Sequence, residues 1–126
     1  MRGENPFLER GHEPPGLDLV FVILPGPIDP EAREQRFGAP LDAELRLAGL
    51  GHVSGGGTME SEDEEGTILF AGVDVDTSDV AGARQLLREH LPELGCPDGT
   101  RLRFGGLQDR FDGARWHLAE PQDEEV

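Results

Sequence analysis

The segment Leu17–Leu24, Leu-Asp-Leu-Val-Phe-Val-Ile-Leu, is almost continuously apolar and rich in β-branched side chains, and Pro25-Gly26-Pro27 stops it abruptly. So short and so apolar a run predicts a central β-strand, buried on both faces or nearly so. With 126 residues, the chain has room for one modest core around that strand and not for two.

Asp29-Pro30-Glu31 is a helix start, because Asp caps and Pro suits the first helical position. The spacing predicts a short charged helix over Glu31–Phe37, a break at Gly38-Ala39-Pro40, and a second helix over Leu41–Leu47 or a little longer, with Leu41, Leu45 and Ala48 on one face. His52–Met59 is a weak strand whose glycines, Gly55, Gly56 and Gly57, mark a bulge or a close backbone approach. Glu60, Glu62, Asp63, Glu64 and Glu65 form an acidic hairpin tip closed by Gly66. Thr67–Asp76 returns as a strand, and the alternation Val73-Asp74-Val75-Asp76 gives its second half an acidic face. Thr77 or Ser78 caps the next helix, in which Val80, Ala83, Leu87, Leu91 and Leu94 repeat at helical spacing and Pro92 shortens or kinks the last turn. After Gly95, Pro97 and the Asp98-Gly99 turn, Thr100–Phe104 alternates as a strand, and Ala114–Leu118, with Trp116, is an optional final one.

The order β-α-β-β-α-β predicts an α+β fold of the ferredoxin-like kind: an antiparallel sheet with two helices on one face, with an optional extra C-terminal strand. Residues 1–16, rich in Gly, Pro and charge, read as a flexible N-terminal arm, 17–118 as the single domain, and 119–126 as an acidic tail.

Charge narrows the function. All 11 basic residues are arginine, against 26 acidic ones, for a formal net charge of −15. Such a field repels phosphate backbones and anionic membranes, so direct nucleic-acid or membrane binding is not expected. The fitting partners are cationic: a basic protein, a metal ion or a cationic small molecule. No apolar run approaches the roughly 20 residues that span a bilayer. Met1–Pro6 does not read as a signal peptide, and Cys96 is the sole cysteine, so a cytoplasmic location is expected.

No catalytic, metal or cofactor motif stands out. Ser54–Thr58 has the glycines of an anion nest but no Walker lysine and no following helix, so a twisted strand is the better reading. The acids from Glu60 to Glu65 lack calcium-loop spacing and read as a solvated, partner-attracting tip. Asp74 and Asp76 share a strand face, either as solvated acids or as the centre of a partner contact. His12, His52, His90 and His117 form no zinc spacing, and no G-x-S-x-G elbow surrounds Ser54 with His52 as its base. Cys96 reads as a structural thiol. Trp116 either closes the core or anchors an interface.

The stretch Leu41-Asp42, Gly49-Leu50-Gly51-His52-Val53-Ser54-Gly55-Gly56-Gly57-Thr58, continued by Val73-Asp74-Val75-Asp76, together with the chain's size and acidity, resembles small bacterial immunity proteins, the cognate inhibitors of polymorphic toxins. The resemblance implies a non-enzymatic inhibitor that occludes a basic toxin domain, for example a nuclease. On charge, the contact residues are Glu60, Glu62, Asp63, Glu64, Glu65, Asp74 and Asp76, with Trp116 as anchor. The alternatives are a ferredoxin-like small-molecule or regulatory module, with a pocket near His52 and the glycines and a homodimer through its sheet, or a small enzyme using His52 or a carboxylate.

Overall fold

A computed structural model of the chain describes residues 17–62 and 66–122. The fold is α+β, with a six-stranded antiparallel sheet in the order β2-β3-β1-β4-β5-β6. The strands are β1 Asp18–Pro25, β2 Gly51–Glu60, β3 Ile68–Thr77, β4 Arg101–Phe104, β5 Leu107–Phe111 and β6 Trp116–Pro121.

The helical layer begins at α1 Pro30–Ala32, capped by the Asp29 carboxylate on the Ala32 N–H at 2.7 Å. The expected break at Gly38-Ala39-Pro40 does not occur. A π-helical stretch, Arg33–Gly38, carries the chain without interruption into α2 Ala39–Ala48. Pro40 has no N–H for the carbonyl four residues back, and its ring crowds that carbonyl. The ladder instead widens to a five-residue step, the Ala39 N–H donating to the Glu34 carbonyl. Phe37, Leu41 and Leu45 are fully buried, whereas Ala48, expected on the same face, is exposed. Gly49, at φ 73°, ends α2 in the left-handed region that favours glycine.

Helix α3, Val80–Glu93, buries Ala83, Leu87 and Leu91. Its cap is Asp79, whose side chain accepts from the Gly82 N–H at 3.0 Å, and not Thr77 or Ser78. The Thr77 hydroxyl is buried and donates to the Leu50 carbonyl at 2.6 Å. Pro92 does not shorten the helix. The Arg88 carbonyl that it leaves without a backbone donor accepts the Trp116 indole N–H at 3.1 Å.

Val20, Val22 and Leu24 of β1, and Ala71, Val73 and Val75 of β3, meet both helices in a single core. Burial on β1 therefore alternates. The expectation of a strand covered on both faces is corrected: Leu19 and Phe21 are 41% and 42% exposed on the face away from the helices.

The glycines of β2 do mark a close approach. A Cβ on Gly56 would strike the Gly72 carbonyl oxygen, whereas a Cβ on Gly57 would meet nothing within 4 Å. Gly56→Ala is therefore expected to lower stability by about 1–3 kcal/mol. Gly57→Ala should leave stability level or raise it by about 0.4–1 kcal/mol, since alanine restricts the unfolded chain. Urea denaturation of the two variants makes the comparison.

Beyond β4 the chain adds two strands, not one optional strand. β6 takes in Ala119, Glu120 and Pro121, so the ordered domain extends past the boundary expected at residue 118. Asp109, fully buried on β5, holds this hairpin against α3. It receives Arg84 at 2.8 and 2.7 Å, Arg88 at 3.0 Å and the Ala119 N–H at 2.9 Å. Ala119 stands at φ 54°, beside the irregular pairing of β5 with β6.

Candidate functional site

Side chains alternate along each strand, so the face of the sheet opposite the helices presents its own surface. One rung runs across all six strands: Gly55, Asp74, Phe21, Arg103, Gln108 and Glu120. The adjacent rung contains Gly57, Gly72, Ile23, Arg101 and Arg110. Beyond it lie Met59, Phe70 and Pro25, and at the other end His52, Asp76 and Leu19. The middle of this face is thus apolar. A shallow groove of about 280 Å³ passes over Gly57 and Gly72 between Phe21, Met59 and Phe70. Glycine at those two positions leaves the groove floor bare.

The charges flank that centre. Asp74 and Arg103 lie on either side of Phe21, one strand away in each direction. The Asp74 carboxylate leans over Gly55, where a Cβ would come within 3.5 Å of it. Neither Asp74 nor Arg103 forms an ion pair among the described residues, and the Arg103 Nε is buried without a hydrogen-bond partner. Asp76 faces the His52 ring at 3.7 Å. Arg110 is held by Glu120 through two hydrogen bonds of 3.0 Å, and this pairing draws the Glu120 carboxyl below its ordinary range.

The residues singled out by charge do not form one site. Asp74 and Asp76 share the open face. Glu60 pairs with Ile68 at the hairpin end of the same ribbon, about 26 Å from Asp76 at 3.3 Å per residue. Glu62 is exposed beyond it, and Asp63, Glu64 and Glu65 lie outside the described residues, as does His12. Trp116 is half-buried on the helix side, its ring 5.1 Å from that of Phe111 and its N–H committed to α3. It closes the core margin and is not presented as an anchor. The residues that sequence reasoning missed are Leu19, Phe21, Met59 and Arg103. Leu19 and Phe21 had a signal in β1, whose apolar run exceeds what one buried face requires.

A second concavity, about 540 Å³, lies between the helical segment and the edge strand β2, lined by Arg33, Glu34, Asp42, Ser54, Gly55 and Gly56 among others. Asp42 accepts the Val53 N–H at 2.8 Å and pairs with Arg46 at 2.9 Å; the Val53 bond is the larger influence holding its carboxyl below the usual range. The Ser54 hydroxyl donates to the Asp74 carbonyl at 3.4 Å, not to His52. Cys96 is buried, and burial pushes its thiol up. Asp112 accepts from the Arg115 and Ala114 N–H groups and meets His117 Nε2 at 2.7 Å, contacts that draw its carboxyl well down. Among the described residues no group of three or more His, Cys, Asp or Glu is placed to hold a metal ion, and no helix is long and apolar enough to cross a membrane.

No family model matches the chain, and no solved structure matches it. It is similar to Uncharacterized protein US30 of human cytomegalovirus (strain Merlin), with 36% identity over 66 residues. That stretch is 50% of this chain and 19% of the viral protein, so the match spans about a fifth of that relative's length.

Proposed function

We propose that the protein is a non-catalytic binding module of the immunity-inhibitor kind, which docks a basic protein on the open face of its sheet. The observation that supports this most is the grouping of Leu19, Phe21 and Met59, 41%, 42% and 49% exposed, beside the acids Asp74 and Asp76. An apolar centre with a charged margin is the ordinary composition of a protein interface, and an isolated sheet face gains nothing from exposing such side chains. The net charge of −15 steers a cationic partner toward the molecule. Glu60 and Glu62, at the far end of the ribbon, add to that field without joining the same contact. The order β2-β3-β1-β4 of the first four strands, with both helices on one face, supports a ferredoxin-like unit to which β5 and β6 are appended.

Affinity capture from the native host at low salt, comparing wild type with Phe21→Asp, tests the reading. It expects a discrete basic protein retained by the wild type, released as salt rises, and lost with Phe21→Asp. Capture of no basic protein, or capture indifferent to Phe21, defeats it. The small-molecule alternative draws support from the cleft of about 540 Å³ near the β2 glycines. A metabolite that raises the melting temperature of both proteins equally would favour it.

A further inference from the structure

We propose that in the free protein the open sheet face is covered by a second copy of this chain, in a two-fold dimer whose axis runs along β1. The inference rests on the reading that this face docks protein, and it names the occupant. The charges on the face are arranged to complement themselves. Asp74 of β3 and Arg103 of β4 stand on the same rung, with Phe21 of β1 between them. Their strands are about 10 Å apart, two inter-strand spacings, so the two charges are separated within one copy by the strand that carries Phe21.

Two sheets stacked face to face lie about 10 Å apart with roughly aligned strands. A two-fold axis in that interface, parallel to β1, carries β3 of one copy over β4 of the other at an unchanged level along the strands. Asp74 of each copy then meets Arg103 of its mate, twice over, and the two Phe21 rings meet on the axis. An axis at right angles to the strands would instead set Asp74 against Asp74 and Arg103 against Arg103, which like-charge repulsion disfavours. The stacked arrangement brings a carboxylate over the Arg103 side chain, which forms no ion pair among the described residues, and covers Leu19 and Phe21. It also gives the face a means of exchange: a basic partner displaces the second copy by offering its own cation to Asp74.

The experiment is charge complementation read by sedimentation equilibrium at about 0.15 M salt, where the Debye length of about 8 Å screens the long-range repulsion between copies. The wild type is expected at twice the monomer mass of 13.7 kDa. Asp74→Arg alone and Arg103→Glu alone, each confirmed as folded by circular dichroism, are expected as monomers. Their equimolar mixture is expected to return to the dimer mass, because both contacts in the mixed pair join opposite charges. As an independent measurement, Phe21→Cys in a Cys96→Ser background should be joined to its mate by a short bis-maleimide, because the two Cα atoms, about 10 Å apart across stacked sheets, lie beyond the reach of a direct disulfide. A wild type that is monomeric at every concentration reached overturns the dimer, as do single variants that stay dimeric or a mixture that stays monomeric. If a monomeric wild type still captures a basic protein through Phe21, only the second copy is withdrawn and the docking role of the face stands. If the dimer forms and no basic protein is captured, the dimer stands and the inhibitor reading falls.

Discussion

Asp109→Ala is expected to lower the unfolding free energy by about 3–5 kcal/mol, the usual cost of removing one partner from a buried ion pair. Marginal domains have roughly 5–15 kcal/mol in total, so the loss should show as a large fall in the urea midpoint at an unchanged slope. The cause is local. Asp109 has no exposed surface, and the substitution would leave Arg84, Arg88 and the Ala119 N–H facing an empty site. Acid should act in the same direction. Burial alone would raise the Asp109 carboxyl, but the Arg84, Ala119 and Arg88 bonds outweigh it and hold the group below its ordinary 3.8. A carboxyl depressed on folding stabilises the native state above its unfolded value and loses that contribution as pH falls through the folded one. Stability should therefore drop below about pH 4 in the wild type. In Asp109→Ala that portion of the acid sensitivity should be missing. An unchanged acid limb in the variant would show that other carboxylates dominate.

Phe37→Ala should cost about 3–5 kcal/mol, as expected for truncating a fully buried aromatic ring whose surroundings collapse only in part. Phe37 sits in the π-helical stretch, where it joins Leu41 and Leu45 in the core beneath the sheet. Leu47→Ala, on the same helical segment but 84% exposed, is the control and should stay within about 0.5 kcal/mol. Equal losses at the two positions would contradict the assignment of the buried face.

The strands and helices with strong periodicity were legible from sequence. The alternation in β3 and the Val80–Leu91 repeat of α3 each express a single physical requirement, burial of one face, whereas the apolar run of β1 marked the strand without showing its open face. β5 was not legible, because Gln108-Asp109-Arg110 reads as a polar loop until Arg84 and Arg88, more than twenty positions away, are seen to neutralise Asp109. The continuous passage through Pro40 was hidden for a related reason. A proline normally ends a helix, and only the widened hydrogen-bond step, from Ala39 to Glu34, shows how this one is accommodated. Of the proposed site, the acids were visible as charge. Their segregation was not, since it depends on which residues the register of β2 against β3 sets side by side. The position of Arg103 beside Phe21 was equally invisible, because arginine carries no periodic signal.

The π-helical stretch from Arg33 to Gly38 carries a surplus residue relative to a regular α-helix. Excising one residue there would turn the flanking segments little, because a π turn holds one more residue than an α turn in about the same rotation, yet it would return the Pro40 ring to the carbonyl four residues back. The irregularity works as a phase adjuster. It takes up a surplus residue without turning the entry set by β1 against the buried stripe set by the core, whereas a deletion in the regular turns on either side would rotate one against the other by about 100°.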